Sequence, residues 1–287
     1  MARNEISGHT RLYAVIGDPV SHSLSPRIMN SAFAATGADA VYVALQVKEQ
    51  DSEQAMEMIR RFGLAGVNVT MPLKQAIVPY LDQLSPTAQQ VGAANCVVNQ
   101  AGLLHGYNTD CTGFRLSLAT RFQAAPATVM LLGAGGAARA IAAELVRWGC
   151  RKLVISNRSQ DKAEQLAALF ADQTACSITV MPWACTQWAE QLNHADLLVN
   201  ATSLGMGGSG SVAELLPWQE IRRKPVVYET IYNPLDTDLL VQARQHHFPV
   251  VAGTELLLWQ AVAGFEIWTG LTAPVDVMRQ SLLRGLQ

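Results

Sequence analysis

Several short stretches carry side chains whose types and spacing can do chemistry. "LLGAGGAARA" (131–140) sets Gly133, Gly135 and Gly136 between an apolar run and an apolar helix. Glycines in that context let the backbone turn tightly against a pyrophosphate, which the amides and the positive end of the following helix can hold. Ala134 and Ala137 lie within the turn, and Ala138 takes the third fingerprint position, where a small residue suffices. Such a turn can also be an ordinary strand-to-helix corner. The strand before it, the helix after it and a second strand at the right distance favour a dinucleotide site.

That second strand runs into "VISNRSQDK" (154–162). A dinucleotide unit normally ends its second strand on an acid that holds the adenine ribose. Here the residues are Asn157, Arg158 and Ser159. An acid accepts a hydrogen bond from a 2′-hydroxyl and repels a 2′-phosphate; a guanidinium fork does the opposite. Ser159 adds a hydroxyl donor and Lys162 a second positive charge, so this stretch predicts NADP rather than NAD. The competing reading makes Arg158 and Lys162 solvated helix-start residues, with Asp161 as the ribose ligand. Cations in a helix's first turn oppose its dipole, which favours the functional reading.

"NVTMPLK" (68–74) places Asn68, Thr70 and Lys74 around a strand end. Ligands of parallel sheets gather at the carboxyl ends of strands, although a lysine is most often simply exposed. "GAANCVV" and "GYNTDCTGF" add Asn95, Asn108, Thr109 and Asp110, residue types that also form turns. "DPVSHSLSP" holds Ser21, Ser23 and Ser25 before a helix, where serine commonly caps. No partner for His22 or His105 can be named, and both are read as structural or surface residues.

The elements that must position these groups alternate. Strands are predicted over 11–17, 41–47, 65–72, 151–157, 195–202, 224–232 and 248–253, helices over 25–37, 52–63 and 158–170, and residues 127–150 as strand, glycine turn and helix in succession. Ser25 is expected to cap the first helix, with Pro26 at its first position and Gly37 as its stop. The join at 110–126 has helical content and is expected to run as one helix. The tail, from Glu255 onward, is helical. Strands separated by helices of this length predict parallel crossover units.

A chain of 287 residues, 49% hydrophobic and 15% charged, has room for two cores. Its net charge of -2 creates no field that favours nucleic acid or anionic membrane. The five cysteines show no metal-ligand spacing and read as reduced thiols. The first residues have no signal-peptide core, and no apolar run reaches the roughly 18 residues of a membrane span. The expectation is a cytoplasmic protein without a metal.

Taken together and in order, "IGDPVSHSLSP", "GVNVTMPLK", "GAANCVV", "YNTDCTGF", "LLGAGGAARA", "SNRSQDKA", "VNATSLGM", "VYETIYNP" and the Gln260 helix ending in "WTG" resemble the shikimate dehydrogenase family. The resemblance implies an α/β fold of two domains with a cleft between them. Residues 1–112 with 256–287 would bind a cyclohexene carboxylate, and residues 113–255 would form a Rossmann-type NADP domain. It implies reversible NADPH-dependent reduction of 3-dehydroshikimate to shikimate. Lys74 and Asp110 match the catalytic pair. Ser23, Ser25, Asn68, Thr70, Asn95, Tyr232 and Gln260 match substrate contacts. The turn from Gly133 to Ala138, the Asn157, Arg158, Ser159 and Lys162 clamp, and Thr202, Ile231 and Gly253 match cofactor contacts. Cys111 stands where the family commonly has glycine. Glu229-Thr230 replaces an aspartate and a large apolar residue, and Glu255 replaces a second glycine after Gly253. A quinate/shikimate dehydrogenase with relaxed cofactor choice is the nearest alternative. A non-catalytic NADP-binding sensor is a remote one, since it should have lost the Lys–Asp pair. The oligomeric expectation is a monomer or homodimer.

Overall fold

A computed structural model describes residues 6–171, 175–183, 185–207 and 210–287. The chain divides into two compact units, 1–113 with 258–287, and 114–257.

The first unit runs β1 (Arg11–Gly17), α1 (Ser25–Thr36), β2 (Ala40–Gln46), α2 (Ser52–Arg61), β3 (Gly66–Val69), α3 (Leu73–Ala76), β4 (Gln83–Leu84), α4 (Pro86–Val91), β5 (Cys96–Gln100), β6 (Leu103–Tyr107) and the start of α5 (Thr109–Ser117). Its strands form one sheet in the order β2-β1-β3-β5-β6-β4. The β1–β2 and β1–β3 pairs are parallel, as the alternation of strand and helix predicts. The β3–β5 and β5–β6 pairs are antiparallel. The strands predicted from sequence do not include this hairpin. Its strands are short, and their Asn and Gly content imitates loop chemistry.

The apolar faces of β1 and β3 bury Ala14, Ile16, Val67 and Val69 against Met56 and Ile59 of α2. On the other face Tyr13 packs against Phe33 and Trp268. The Trp268 indole donates to the Val97 carbonyl at 3.0 Å. Gly66 is required there, since a side chain on it would run into that indole.

The second unit runs β7 (Thr128–Leu132), α6 (Gly136–Trp148), β8 (Lys152–Ser156), α7 (Gln160–Ala168), β9 (Ser177–Met181), α8 (Cys185–Leu192), β10 (Leu197–Asn200), β11 (Val226–Glu229), α9 (Asp238–Gln245) and β12 (Val250–Val251). All its strand pairs are parallel, in the order β12-β11-β10-β7-β8-β9. The central strands are buried on both faces and read as continuous apolar runs, as parallel strands covered by helices must. The order reverses between β10 and β8 around β7, which places a switch point at the glycine turn. The chain closes with α10 (Gly253–Thr269) and α11 (Val275–Gly285), and the unit boundaries fall inside α5 and α10.

Three local expectations need correction. Leu24 occupies the cap position of α1 and Ser25 is its first helical residue, so Ser25 does not cap. The Ser23 hydroxyl accepts from the Ser25 amide at 3.3 Å and does part of that work. The 110–126 join is not one helix: α5 ends at Ser117, and turn bonds at Leu118 and Phe122 follow. Pro126 bars a helix from running into β7. Finally, α7 starts at Gln160 with Ser159 as its cap position, so Arg158 precedes the helix.

Candidate active site

In the first unit, Lys74 sits on α3, just beyond the carboxyl end of β3. Its Nζ lies 2.6 Å from Asp110 Oδ2, with the two side chains 24% and 13% exposed. Asp110 is in the first turn of α5, where a carboxylate suits the helix dipole. Asn108 fixes the start of that helix: its Oδ1 accepts from the Cys111 amide at 3.3 Å, and its Nδ2 donates to the Ala93 carbonyl at 3.0 Å. Asn108 is therefore a structural turn residue, and buried Cys111 packs in the core.

Asn95 organises the other side of Asp110. Its Nδ2 donates to Asp110 Oδ1 at 2.9 Å and to Thr109 Oγ1 at 3.0 Å, and its Oδ1 accepts from the Thr109 amide at 2.6 Å. Asn68 Nδ2 donates to the Asn95 carbonyl at 3.1 Å. The Tyr42 hydroxyl donates to Asn68 Oδ1 at 2.7 Å and also engages Ser25. Burial raises the Tyr42 hydroxyl well above its ordinary pKa, so it stays a donor. One connected polar chain thus joins Ser25, Tyr42, Asn68, Asn95, Asp110 and Lys74, from α1, β2, β3, the residue before β5, α5 and α3. Tyr42 was read from sequence only as strand-forming; no local signal marks a tyrosine whose hydroxyl ends in a buried polar network.

Thr70 follows β3 and its amide donates to the Ile16 carbonyl at 2.9 Å. Any side chain on Gly17 would overlap Thr70, so this approach of two strand ends needs glycine. Ser23 is half-buried in the polar loop before α1. Gln260 lies on α10, packed so closely that a side chain on Gly113 would stand 2.6 Å from its backbone nitrogen.

In the second unit the glycine turn has two kinds of glycine. Gly133 has φ +112°, and an added Cβ would stand 2.6 Å from the Ala201 carbonyl oxygen, so conformation and space both demand glycine. Gly135 and Gly136 face open space instead. The α6 helix starts at Gly136, and Gly135 at its cap position offers no side-chain cap, leaving the first amides for an anion. Next to β8, Asn157 is held by a 2.8 Å bond from its Nδ2 to the Ser159 carbonyl. Arg158, Ser159 and Lys162 are exposed, and among the described residues Arg158 has no ion-pair partner. Thr202 lies after β10, and Ile231 and Tyr232 after β11; burial raises the Tyr232 hydroxyl above its usual pKa. A side chain on Gly253 would overlap the Ile231 carbonyl. These positions fit a dinucleotide: a backbone cradle open above two glycines, a bare helix start, and exposed cations beside the second strand.

Residues 15–97 match the shikimate dehydrogenase substrate binding domain, 117–206 the shikimate / quinate 5-dehydrogenase family, and 253–283 the shikimate 5'-dehydrogenase C-terminal domain. The shikimate dehydrogenase (NADP(+)) of Symbiobacterium thermophilum is 44% identical over 290 residues, covering 99% of this chain and 98% of that protein. The chain belongs to the shikimate dehydrogenase family. Among solved members of the family, shikimate 5-dehydrogenase from Listeria monocytogenes, in complex with shikimate and NAD, superposes with a TM-score of 0.90 at 35% identity, over 96% of this chain and 98% of that one. The Thermus thermophilus enzyme, in complex with NADP(H) and shikimate, gives a TM-score of 0.84 at 34% identity, over 96% and 100%. Among the described residues no helix is long and apolar enough to cross a membrane, and no cluster of three potential metal ligands forms.

Proposed function

We propose that Lys74 and Asp110 serve the reversible NADPH-dependent reduction of 3-dehydroshikimate to shikimate, on the route to chorismate and the aromatic amino acids. The observation that carries this reading is the Lys74–Asp110 pair held from behind by Asn95. Bound NADPH supplies the hydride to the ketone carbon. In that direction the Lys74 ammonium donates a proton to the ketone oxygen and stabilises its developing charge. Asp110 orients the ammonium; in reverse the pair receives the proton. Ser23, Ser25, Asn68, Thr70, Asn95, Tyr232 and Gln260 bind the acid's carboxylate and hydroxyls.

The turn from Gly133 to Ala138 holds the pyrophosphate. Asn157, Arg158, Ser159 and Lys162 hold the 2′-phosphate. Thr202, Ile231 and Gly253 line the nicotinamide end. The wide spacing of the cysteines, without a disulfide framework in the sequence, supports a cytoplasmic location. The chain acts as a monomer or homodimer, which sedimentation would distinguish.

The test is absorbance at the reduced-nicotinamide band with shikimate and NADP+, repeated with quinate and with NAD+. Turnover with shikimate and NADP+ alone supports this reading. Comparable turnover of quinate would promote the second reading, a quinate/shikimate dehydrogenase, which the Glu229-Thr230 and Glu255 departures leave open. No turnover with either acid would defeat both.

A further inference from the structure

Glu229 is a carboxylate at the end of β11 with no exposed surface, and the chemistry above does not use it. Its Oε1 accepts from Asn200 Nδ2 at 3.0 Å and from the Ile231 amide at 3.1 Å. Its Oε2 accepts from Asn200 Nδ2 at 3.1 Å and from Thr237 Oγ1 at 3.1 Å. Asn200 is thereby oriented with its amide nitrogen toward the carboxylate and its Oδ1 toward Thr202. That Oδ1 accepts from the Thr202 hydroxyl at 2.7 Å and from the Thr202 amide at 3.1 Å. The Thr202 hydroxyl in turn accepts from the Leu204 amide at 3.1 Å. The two loops are stitched a second time, by the Thr230 amide donating to the Asn200 carbonyl at 3.1 Å.

One buried carboxylate therefore sets two loops at once. One loop carries Ala201 and Thr202, against which Gly133 is packed. The other carries Ile231, against whose carbonyl Gly253 is packed. A buried anion is costly unless its acceptor sites are filled, and these four bonds fill them. A neutral apolar residue would pack as well, but it would let both loops turn.

We propose that Glu229 is a positioning residue for the nicotinamide half of the cofactor, acting through Asn200 on Thr202 and directly on the Ile231 peptide. The proposal rests on the reading of Thr202, Ile231 and Gly253 as cofactor contacts. It assigns no contact between Glu229 and the cofactor.

The test compares Glu229→Gln and Glu229→Asp with the parent chain, by fluorescence titration with NADPH and by calorimetric titration with adenosine 2′,5′-bisphosphate, which lacks the nicotinamide. Glutamine keeps the volume but turns an amide donor toward donors. Glu229→Gln should weaken NADPH roughly tenfold, the loss of one bond to a charged group, and leave the bisphosphate unchanged. Glu229→Asp keeps the charge and should recover most of the NADPH affinity. Equal loss of both ligands would mean a purely structural role and overturn the proposal, as would unchanged NADPH binding in Glu229→Gln. Thr202→Val separates the layers. If it weakens NADPH while Glu229→Gln does not, only the positioning role falls. If Thr202→Val has no effect, the cofactor reading of that loop falls and takes the proposal with it.

Discussion

Lys74 and Asp110, 36 residues apart in the chain, meet at 2.6 Å, and the carboxylate oxygen that Lys74 leaves free is taken by Asn95 at 2.9 Å. The carboxylate is therefore fixed from two sides, and the ammonium is held in a defined place.

Removing the ammonium should leave binding and abolish most of the chemistry. Lys74→Ala is expected to lower kcat by about 10²–10⁴-fold with little change in KM for shikimate. Asp110→Asn should also lower kcat, and the double variant should lose much less than the product of the two, because the residues act as a unit. Steady-state kinetics of the three variants checks this. A Lys74→Ala chain with normal kcat would take the lysine out of the mechanism.

Tyr42→Phe removes a hydroxyl and leaves Asn68 Oδ1 without its 2.7 Å donor. Asn68 should then lose its fixed orientation. The expected result is a several-fold rise in KM for shikimate, a nearly unchanged kcat, and about 1 kcal/mol lost from urea unfolding. A kcat defect as large as that of Lys74→Ala would move Tyr42 from orientation into proton transfer.

Arg158 stands exposed beside Ser159, ahead of the first turn of α7. Arg158→Ala should cut kcat/KM for NADP+ by about ten- to a hundredfold and spare NAD+, which offers the guanidinium no 2′-phosphate. The difference should shrink at high salt, as exposed charge contacts do. Measuring both cofactors in both chains at two ionic strengths tests this. An unchanged NADP+/NAD+ ratio would hand the ribose to Asp161.

Burial pushes the Glu229 carboxyl from its ordinary 4.5 up to about 7, against hydrogen bonds from Ile231, Asn200 and Thr237 that pull it down. Between those values the folded chain keeps a proton that the unfolded chain has released. Folding stability from this group should therefore be fully present below about pH 4.5, fall as pH rises to about 7, and stay level above. The fall is at most about 3 kcal/mol. Urea unfolding of the parent chain and of Glu229→Gln at pH 5, 6, 7 and 8 measures it as the difference in slope between the two. Parallel slopes would show that the carboxyl titrates normally.

By itself, the sequence determined what depends on local backbone chemistry and on strand and helix period. Gly37 and Gly149 end helices because each takes a left-handed conformation that other residues resist. The glycine turn, the strand before it and the missing acid after β8 lie within one short stretch, so the proposal of a dinucleotide site there needs no tertiary information. Lys74 and Asp110 can be paired only through the order of motifs, because nothing near either residue announces the other.

Tertiary structure alone decided the rest. The antiparallel β5–β6 hairpin, the Tyr42–Asn68–Asn95 relay and the Asn200–Glu229 clamp join residues 15 to 29 positions apart or pair strands whose side chains look like loop residues. A hydrogen bond between distant residues depends on which strands lie side by side and in what register. A shift of one residue would turn Tyr42 or Asn68 to the opposite face of its strand. That register is set by packing across a whole sheet, and no short stretch of sequence contains it.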